Sequence, residues 1–306
     1  ALRLSRLPVR VIPADCDEMS AGLYLDETTP RVVLPPVKDP EYRSQLWRAI
    51  DAHGIQVIFP VINPEFEFFH RHGDDFEKEN IRIVSADRDV VDRCNDKYEG
   101  MRYLRQQGVF VPDTLPCIPG QRLDYFLAEN RFPLLIKPRY GASGRHVYVV
   151  KDPDRLMALE RAFPTGYFVV QAYLEADEEY TVGVYVSKNR VFQSALVMKR
   201  QLKFGLSYKG EVIDHPAIGR YCLGLCDRMG LYYASNVQLK QVNGTPCAFE
   251  INPRLSSTAC IRAAFGFNEP EMILRELFHD LADYKPAVSK GRFMRYWDEI
   301  YLDAKT

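Results

Sequence analysis

Apolar and polar positions follow two different patterns along this chain. Up to about residue 90, short apolar runs alternate with amphipathic stretches such as Pro40 to His53, where apolar side chains recur at helical spacing before Gly54. A second, charged helix is predicted over Glu65 to Asn80. The runs typical of buried strands are Val9–Pro13, Arg31–Leu34, Gln56–Ile62 and Ile81–Ser85. Strands that alternate with helices at this spacing predict a parallel, doubly wound α/β sheet.

After Phe132 the pattern becomes that of strands, rich in β-branched and aromatic residues. The predicted strands are 133–138, 146–150, 167–174, 180–186, 190–200 and 236–242. Asn243-Gly244 is a tight-turn signal that joins the last of them to Cys247–Ile251, and one long helix is predicted over His215 to Gly230. A polar stretch near 90–96, followed by a predicted helix from Asp96 to Gln107, marks a domain boundary.

Composition limits the classes of function. The chain has 306 residues with 46% hydrophobic and 26% charged content, which is typical of a globular protein with a core. The formal net charge is -1, so no global field favours nucleic acid or an anionic membrane, and a bound polyanion would need locally arranged groups. No apolar run reaches the ~18–20 residues of a membrane helix. The seven cysteines form no paired CxxC set, which favours free thiols in a reducing cytoplasm.

The first ten residues allow two interpretations. Arg3, Arg6 and Arg10 stand among leucines, a composition that also occurs in presequences. The segment is short and runs straight into a predicted strand, and the chain opens at Ala1 without a methionine. We therefore expect the chain to begin inside a helix.

A glycine-containing loop lies between two predicted strands, from Lys137 to Arg145. Gly141, Ser143 and Gly144 could lay backbone amides against phosphate oxygens, because glycine allows close approach and positive φ. Lys137 would supply a positive charge at the end of the first strand. The pattern is not a Walker loop, and an ordinary glycine hairpin without any ligand fits it as well.

A sharper motif begins at Glu250. Strand side chains alternate with period two, so Glu250 and Asn252 share a face, and across the hairpin Gln238 is expected to reach the same region. Carboxylate and amide oxygens are ligands suited to magnesium, with bound phosphates completing the shell. Arg254 follows where it could neutralise a phosphate. The alternative is a strand carboxylate at Glu250 paired with a neighbouring lysine.

Two further segments suit a nucleotide. The backbone from Gln171 to Leu174 follows an apolar run and could pair with an adenine edge. Glu178 and Glu179 come next, and a carboxylate there could accept hydrogen bonds from ribose hydroxyls. A solvated acidic turn explains the same two residues equally well.

In this order, the motifs resemble the ATP-grasp superfamily, and within it the branch of the carbamoyl phosphate synthase large subunit. The matching stretches are Asn95-Asp96-Lys97, Ile136-Lys137-Pro138, Gly141 to Gly144, Val170 to Leu174, Glu179 to Val182, Asn236 to Gln238 and Phe249 to Arg254, with Pro13 to Asp17 and Asn63 to Glu65 before them. The resemblance implies a mixed α/β and α+β fold: a doubly wound pre-ATP-grasp domain followed by a two-lobed ATP-grasp domain. The expected domains are 1–94, 95–175 (small lobe) and 176–306 (large lobe).

The resemblance also implies a role for each matching residue. ATP would be held by Lys97, Lys137, Ser143, Gly144, Gln171, Leu174 and Glu179, and Mg²⁺ by Gln238, Glu250 and Asn252. Arg254 and Arg200 would act on the phosphate or the acceptor substrate, with Lys199 and Lys203 bordering it. Residues 205–210 are polar and flanked by glycine, which suggests a mobile lid.

The implied activity is that of an ADP-forming ligase, which activates a carboxylate as an acyl phosphate for attack by an amine or a similar nucleophile. The expected partners are therefore small-molecule carboxylates and amines, with neither nucleic acid nor membrane, and a homo-oligomer is compatible with the sequence. Two alternatives remain open. One is a regulatory module that binds ATP without ligation, and the other is a carbamate or carboxyphosphate kinase.

Overall fold

The computed structural model describes residues 1–302, apart from 27, 119–125, 128, 130, 142–145, 177, 280 and 282–283. Its N-terminal part holds two parallel strand pairs. Strand β1 (Ala14–Asp15) pairs with β2 (Val32–Val33), and β3 (Val57–Ile58) pairs with β4 (Arg82–Ile83). The predicted parallel pairing is confirmed. Strands β2, β3 and β4 are shorter than the apolar runs that contain them, and β1 begins one residue after the predicted strand Val9–Pro13, whose bounds are therefore wrong. The two pairs form separate two-stranded sheets instead of one continuous sheet.

The helices of this part follow the apolar pattern. Helix α1 (Tyr42–His53) buries Leu46 and Ile50 and ends at Gly54 in the left-handed conformation, as the sequence predicts. The predicted charged helix is two helices, α2 (Asn63–Arg71) and α3 (Gly73–Lys78). The helical conformation breaks at His72, and the turn there lets both helices bury a phenylalanine in one core.

Residues 88–172 build a four-stranded antiparallel sheet and the helices beside it. The strand order is β5-β8-β6-β7, with bounds Thr114–Pro116 (β5), Leu134–Pro138 (β6), Tyr148–Val150 (β7) and Phe168–Ala172 (β8). The helices are α4 (Arg88–Asn95), α5 (Lys97–Gln106) and α6 (Pro153–Ala162). The last of these was not predicted from the sequence. Its N-cap Asp152 accepts a hydrogen bond from the Arg155 amide, which supports the first turn.

Residues 179–294 build a six-stranded sheet in the order β13-β12-β9-β10-β11-β14. Its strands are β9 (Glu179–Val186), β10 (Gln193–Lys203), β11 (Leu206–Ile213), β12 (Tyr233–Val242), β13 (Thr245–Asn252) and β14 (Gly291–Met294), and its helices are α7 (Pro216–Met229), α8 (Ala259–Ala264) and α9 (Glu269–Phe278). The predicted hairpin at Asn243-Gly244 is confirmed as the antiparallel β12–β13 pair. Valines of β9 and apolar residues of α7 share one buried core.

The predicted lid at 205–210 is part of a β-hairpin. Strands β10 and β11 form an antiparallel hairpin whose turn is Phe204-Gly205, and both residues have positive φ. Gly210 lies within β11, opposite Arg200. A Cβ atom there would come within 2.3 Å of the Lys199 carbonyl oxygen, so the strands can approach only because residue 210 is glycine. A role of this hairpin as a mobile lid stays a prediction.

A cavity of about 740 Å³ lies in the N-terminal part, away from the predicted nucleotide motifs. It is lined by strands β1, β2 and β3, by α1, by the segment before β1 and by the C-terminal end of α9, with mostly apolar side chains. Within the described ranges, no helix combines the length and the apolar composition needed to cross a membrane.

Candidate functional site

Polar side chains cross one face of the six-stranded sheet in three adjacent rows. Residues paired across neighbouring strands present their side chains on the same face, and positions two apart along a strand do so as well. The row nearest the start of β9 consists of Arg200, Glu179 and Lys240. The next row consists of Met198, Thr181, Gln238 and Glu250. The third row consists of Leu196, Gly183, Asn236 and Asn252.

Glu250 is the acceptor at the centre of the predicted magnesium residues. Its Oε1 accepts a hydrogen bond from Asn252 Nδ2 at 3.0 Å and from Gln238 Nε2 at 3.4 Å. The structure thus brings all three predicted ligands within hydrogen-bonding distance. Both amides present nitrogen to the carboxylate, and a rotation of each amide would present its oxygen instead, which at Gln238 gives up the hydrogen bond from Arg200. One carboxylate and two amide oxygens form a hard-oxygen donor set that fits magnesium.

Arg200 lies beside this group rather than in solvent. Its Nε and Nη2 donate to Glu179 Oε1 at 2.9 and 2.5 Å, and Nη2 also donates to Gln238 Oε1 at 2.7 Å. The arginine side chain is only 7% exposed. The predicted ribose carboxylate Glu179 is therefore the ion-pair partner of the predicted acceptor-side arginine.

Two lysines face Glu250 from the four-stranded unit. Lys137 of β6 is 3% exposed, and its Nζ donates to the Phe249 carbonyl oxygen at 2.9 Å. Burial lowers the pKa of Lys137 to about 8, with Glu250 acting in the opposite direction and Lys97 adding to the decrease. Burial also lowers the pKa of Lys97, against the charges of Glu250 and Asp96. Its Nζ donates to the Gly141 carbonyl oxygen at 2.7 Å.

Asp96 fixes the start of the glycine loop to helix α5. Its carboxylate caps the helix by accepting from the amides of Tyr98 and Glu99. It also accepts from Arg139 Nε at 2.9 Å and Nη2 at 2.7 Å, and from the Tyr140 hydroxyl at 2.8 Å. Burial alone would raise the pKa of Asp96, but these hydrogen bonds outweigh it and lower the pKa. Asp96 thereby holds Lys97 and the residues before Gly141 in one arrangement.

Arg254 lies next to Glu250 after the end of β13. Burial lowers the pKa of Arg254, and the charge of Glu250 opposes the shift. Its Nη1 donates to the Leu255 carbonyl oxygen at 3.1 Å, while its Nε is buried without a hydrogen-bond partner. The side chain also borders a small void between the six-stranded unit and the N-terminal residues 59–60 and 84–86. A ligand anion at this position would satisfy the orphaned Nε.

Gln171 and Leu174, two further residues predicted to bind ATP, contact neighbouring strands. The Gln171 side chain is buried and donates to Thr114 Oγ1 at 2.8 Å, so it braces β8 against β5. The Leu174 carbonyl oxygen accepts from Lys240 Nζ at 3.2 Å. The predictions for Ser143 and Gly144 lie outside the described residues.

Lys199 and Lys203 do not join the cluster. Lys199 points to the opposite face from Arg200 and pairs with Glu178 at 2.5 Å, while Lys203 lies over the rings of Phe204 and Tyr208. The expectation that these two lysines border the acceptor site is wrong for this face of the sheet, because neighbouring residues of a strand alternate between faces.

Several residues of the face were not singled out in the sequence. Thr181 donates through its hydroxyl to Asn236 Oδ1 at 2.9 Å, and Lys240 contacts the Leu174 carbonyl. The period-two pattern of β9 and β12 could have placed Thr181 and Lys240 beside Glu179 and Gln238. The contacts of Asp96 with Arg139 could not be predicted from a local sequence pattern, because the two residues are 43 apart in the chain.

Sequence profiles of known families match successive parts of the chain. Residues 3–84 match the PylC-like N-terminal domain, and residues 94–218 match the RimK-like ATP-grasp domain. Residues 165–300 match a profile described as an ATP-grasp protein in the biosynthetic pathway with the Ter operon.

Individual proteins agree with these profiles. The D-alanine–D-alanine ligase of Bacillus anthracis is 26% identical over 172 residues, 52% of this chain and 56% of the ligase. The carbamoyl phosphate synthase large chain of Haemophilus ducreyi is 21% identical over 277 residues, 84% of this chain and 25% of the synthase. This chain therefore spans about half of the one relative and a quarter of the other.

The fold also matches solved structures. Biotin carboxylase from Campylobacter jejuni, determined as a βγ-ATP complex, superposes with a TM-score of 0.73 over 92% of this chain and 68% of its own, at 14% identity. At that identity the superposition establishes the fold alone. The two ATP-grasp profiles cover consecutive, overlapping parts of the chain, and the relatives and the fold agree with them. The chain belongs to the ATP-grasp superfamily.

Proposed function

We propose that this protein is an ATP- and magnesium-dependent, ADP-forming ligase that activates a carboxylate as an acyl phosphate for attack by an amine or a similar nucleophile. The single observation that carries the proposal is that two lysines of the four-stranded unit meet two arginines and one carboxylate-amide cluster of the six-stranded unit around Glu250. ATP would lie between a small lobe (95–175) and a large lobe (176–306). The domain over 1–94 would border the acceptor end of the site, where Arg254 lies against residues 59–60.

The nucleotide end would be formed by residues that come from both lobes. Lys137 and Lys97 supply positive charge beside Glu250, and Ser143 and Gly144 would add backbone amides for phosphate oxygens. The backbone of Leu174 would meet the adenine, with Gln171 bracing the strand before it. Glu179, at the start of β9, would accept from the ribose while it holds Arg200.

Glu250, Gln238 and Asn252 would hold magnesium, and their oxygen donors suit that ion better than zinc. When bound, the ion would neutralise phosphate charge and keep the γ-phosphoryl group in line. Arg254 would contribute its orphaned Nε to an anion, and Arg200, with hydrogen bonds leaving from Nε and Nη2, keeps Nη1 for the substrate carboxylate.

The proposed reaction has two steps that balance. A carboxylate oxygen bonds to the γ-phosphorus as the β–γ bridging bond breaks, and ADP leaves. The amine nitrogen then bonds to the acyl carbon, phosphate leaves, and the amine loses a proton. The residues named above position and neutralise charge, and no protein nucleophile is needed.

Hydroxylamine tests the proposal before the natural amine is known, because it converts acyl phosphates into hydroxamates. The protein would be incubated with ATP, magnesium, hydroxylamine and each of a set of amino acids and small carboxylates, and both ADP and hydroxamate would be measured. We expect one class of carboxylate to give both products in equal amounts. Tight ATP binding with no hydroxamate and no ADP from any acid would contradict ligase activity and support a regulatory module.

A further inference from the structure

Arg262 of helix α8 is buried against the same sheet face as the proposed magnesium residues. Its side chain lies across Gly183 of β9, and both Arg262 and its ion-pair partner Glu269 are 0% exposed. A Cβ atom on Gly183 would come within 2.2 Å of Arg262 Nε. The absence of a side chain at 183 is therefore what allows the guanidinium to occupy the third polar row.

From this position Arg262 donates to three separate segments. Its Nε donates to Glu269 Oε1 at 2.6 Å. Its Nη1 donates to Thr258 Oγ1 at 2.6 Å, to Ser256 Oγ at 3.2 Å and to Asn236 Oδ1 at 3.3 Å. The guanidinium thus ties α9, the turn after Arg254 and strand β12 together.

Two of these three ties lead towards the proposed site. Asn236 is the cross-strand partner of Asn252, and Asn252 donates to Glu250. Ser256 and Thr258 are hydrogen-bonded to each other in the segment that directly follows Arg254.

Stability alone does not account for a buried pair of this kind. Moving an arginine and a glutamate out of water costs several kcal/mol, and well-packed apolar residues in their place are often neutral or stabilising. Burial raises the pKa of Glu269, and the Arg262 charge opposes this shift. A different benefit, such as fixed geometry nearby, is needed to explain the pair.

We propose that Arg262 is a positioning residue for the magnesium cluster, which it holds through Asn236 and through the 256–258 turn without touching the nucleotide. The inference rests on the proposed function, because it needs magnesium at Glu250. Loss of a residue that hydrogen-bonds a metal ligand typically weakens metal affinity by about 10–100-fold, and Arg262 lies one contact further from the proposed ligands, so we expect the lower end of that range.

The test measures ADP binding by calorimetry at a series of magnesium concentrations, together with the melting temperature. The main variant is Arg262→Met with Glu269→Met, which removes both charges and keeps apolar volume. Arg262→Lys keeps the positive charge but removes the guanidinium nitrogen that donates to Ser256 and Thr258. The matched control is Arg275→Met with Glu271→Met, because that ion pair lies on the adjacent α9.

We expect the main variant and Arg262→Lys to need about tenfold more magnesium for half-maximal enhancement of ADP binding. Binding of ADP without magnesium should stay within twofold of the wild type, and the control should match the wild type throughout. Gly183→Ala, which displaces Arg262 without removing a polar group, should act in the same direction.

An unchanged magnesium requirement in Arg262→Lys and in Gly183→Ala would overturn the positioning role, even if the double variant fails to fold. The positioning role would also be overturned if the variants with lower melting temperatures bound ADP more weakly even without magnesium. That pattern is typical of a general structural defect. If the wild-type protein itself shows no magnesium-dependent ADP binding, the proposed function fails first.

Discussion

Arg200 donates to Gln238 Oε1 at 2.7 Å, across the strand that lies between their own two strands. One residue belongs to the proposed acceptor side and the other to the proposed magnesium set. Glu179, on the intervening strand, accepts from the same guanidinium. The two halves of the site therefore form one hydrogen-bonded network. A substitution on either side should alter the hydrogen bonds of the other.

Arg200→Ala should destabilise the protein far more than Lys199→Ala. Removal of Arg200 leaves the Glu179 carboxylate without its partly buried partner, and such losses cost about 3–5 kcal/mol. Lys199 pairs with Glu178 on the opposite face, where both side chains are largely exposed, and such an ion pair contributes about 0–1 kcal/mol. Urea unfolding of both variants measures the difference, and equal losses would contradict the placement of Arg200 within the network.

Lys137→Met should weaken ADP binding more than Lys151→Met. Lys137 is buried beside Glu250, whereas Lys151 is exposed after strand β7. A charge-assisted hydrogen bond to phosphate contributes roughly 1.5–3 kcal/mol, which corresponds to a change of about 10- to 150-fold in dissociation constant. Calorimetric titration with magnesium present compares the two variants, and similar dissociation constants would count against a phosphate role for Lys137.

The low pKa of Lys137 predicts two opposite pH effects. In the folded protein the lysine loses its proton near pH 8, while in the unfolded chain it stays protonated to about 10.4. Between these values the unfolded state binds more protons, so the stability of the nucleotide-free protein should rise with pH relative to Lys137→Met, by at most about 1.4 kcal/mol per pH unit.

Nucleotide binding should respond in the other direction. Phosphate binds the protonated amine, so ADP affinity should fall as the pH rises above about 8, and Lys137→Met should lack this decrease. Titrations at pH 7, 8 and 9 supply the measurement. An affinity that falls equally in Lys137→Met would assign the pH dependence to a different group.

Asp96→Ala should cost more stability than Asp152→Ala, although both residues cap a helix. Asp152 caps α6 and is exposed, so its loss should cost about 0.5–2 kcal/mol. Asp96 also forms a largely buried ion pair with Arg139, which adds several kcal/mol to the loss. ADP affinity should fall only in Asp96→Ala, because Asp96 places Lys97. Equal effects on melting temperature and on affinity would contradict this account.

The parts of the site that the sequence predicted are those governed by strand periodicity. Glu250 and Asn252 are two apart on one strand, so their common face followed directly from the pattern. Gln238 joins them through a register shift between Gln238 and Leu239, because the register set by the Asn243-Gly244 turn would place Phe249 opposite Gln238. Arg262 could not be found in this way. Its position depends on how α8 packs over Gly183, and contacts between a helix and a sheet leave no period in the sequence.

The N-terminal part shows the same limit. Three apolar runs contain their strands, whereas β1 begins just after the run Val9–Pro13, and all four paired segments are only two residues long. Apolar composition predicts burial, whereas strand length also depends on which neighbour supplies hydrogen bonds. The Lys199 expectation failed because it treated adjacent residues of one strand as neighbours in space.

The most direct test of the whole account is calorimetric titration of the wild-type protein and of Glu250→Gln with ADP, with and without magnesium. Glu211→Gln is the control, because that carboxylate lies on a different strand of the same sheet and is partly exposed. The account predicts that magnesium strengthens ADP binding at least tenfold in the wild type and in Glu211→Gln, and that this enhancement disappears in Glu250→Gln while its melting temperature stays near that of the wild type. Equal enhancement by magnesium in Glu250→Gln would contradict the proposed magnesium site.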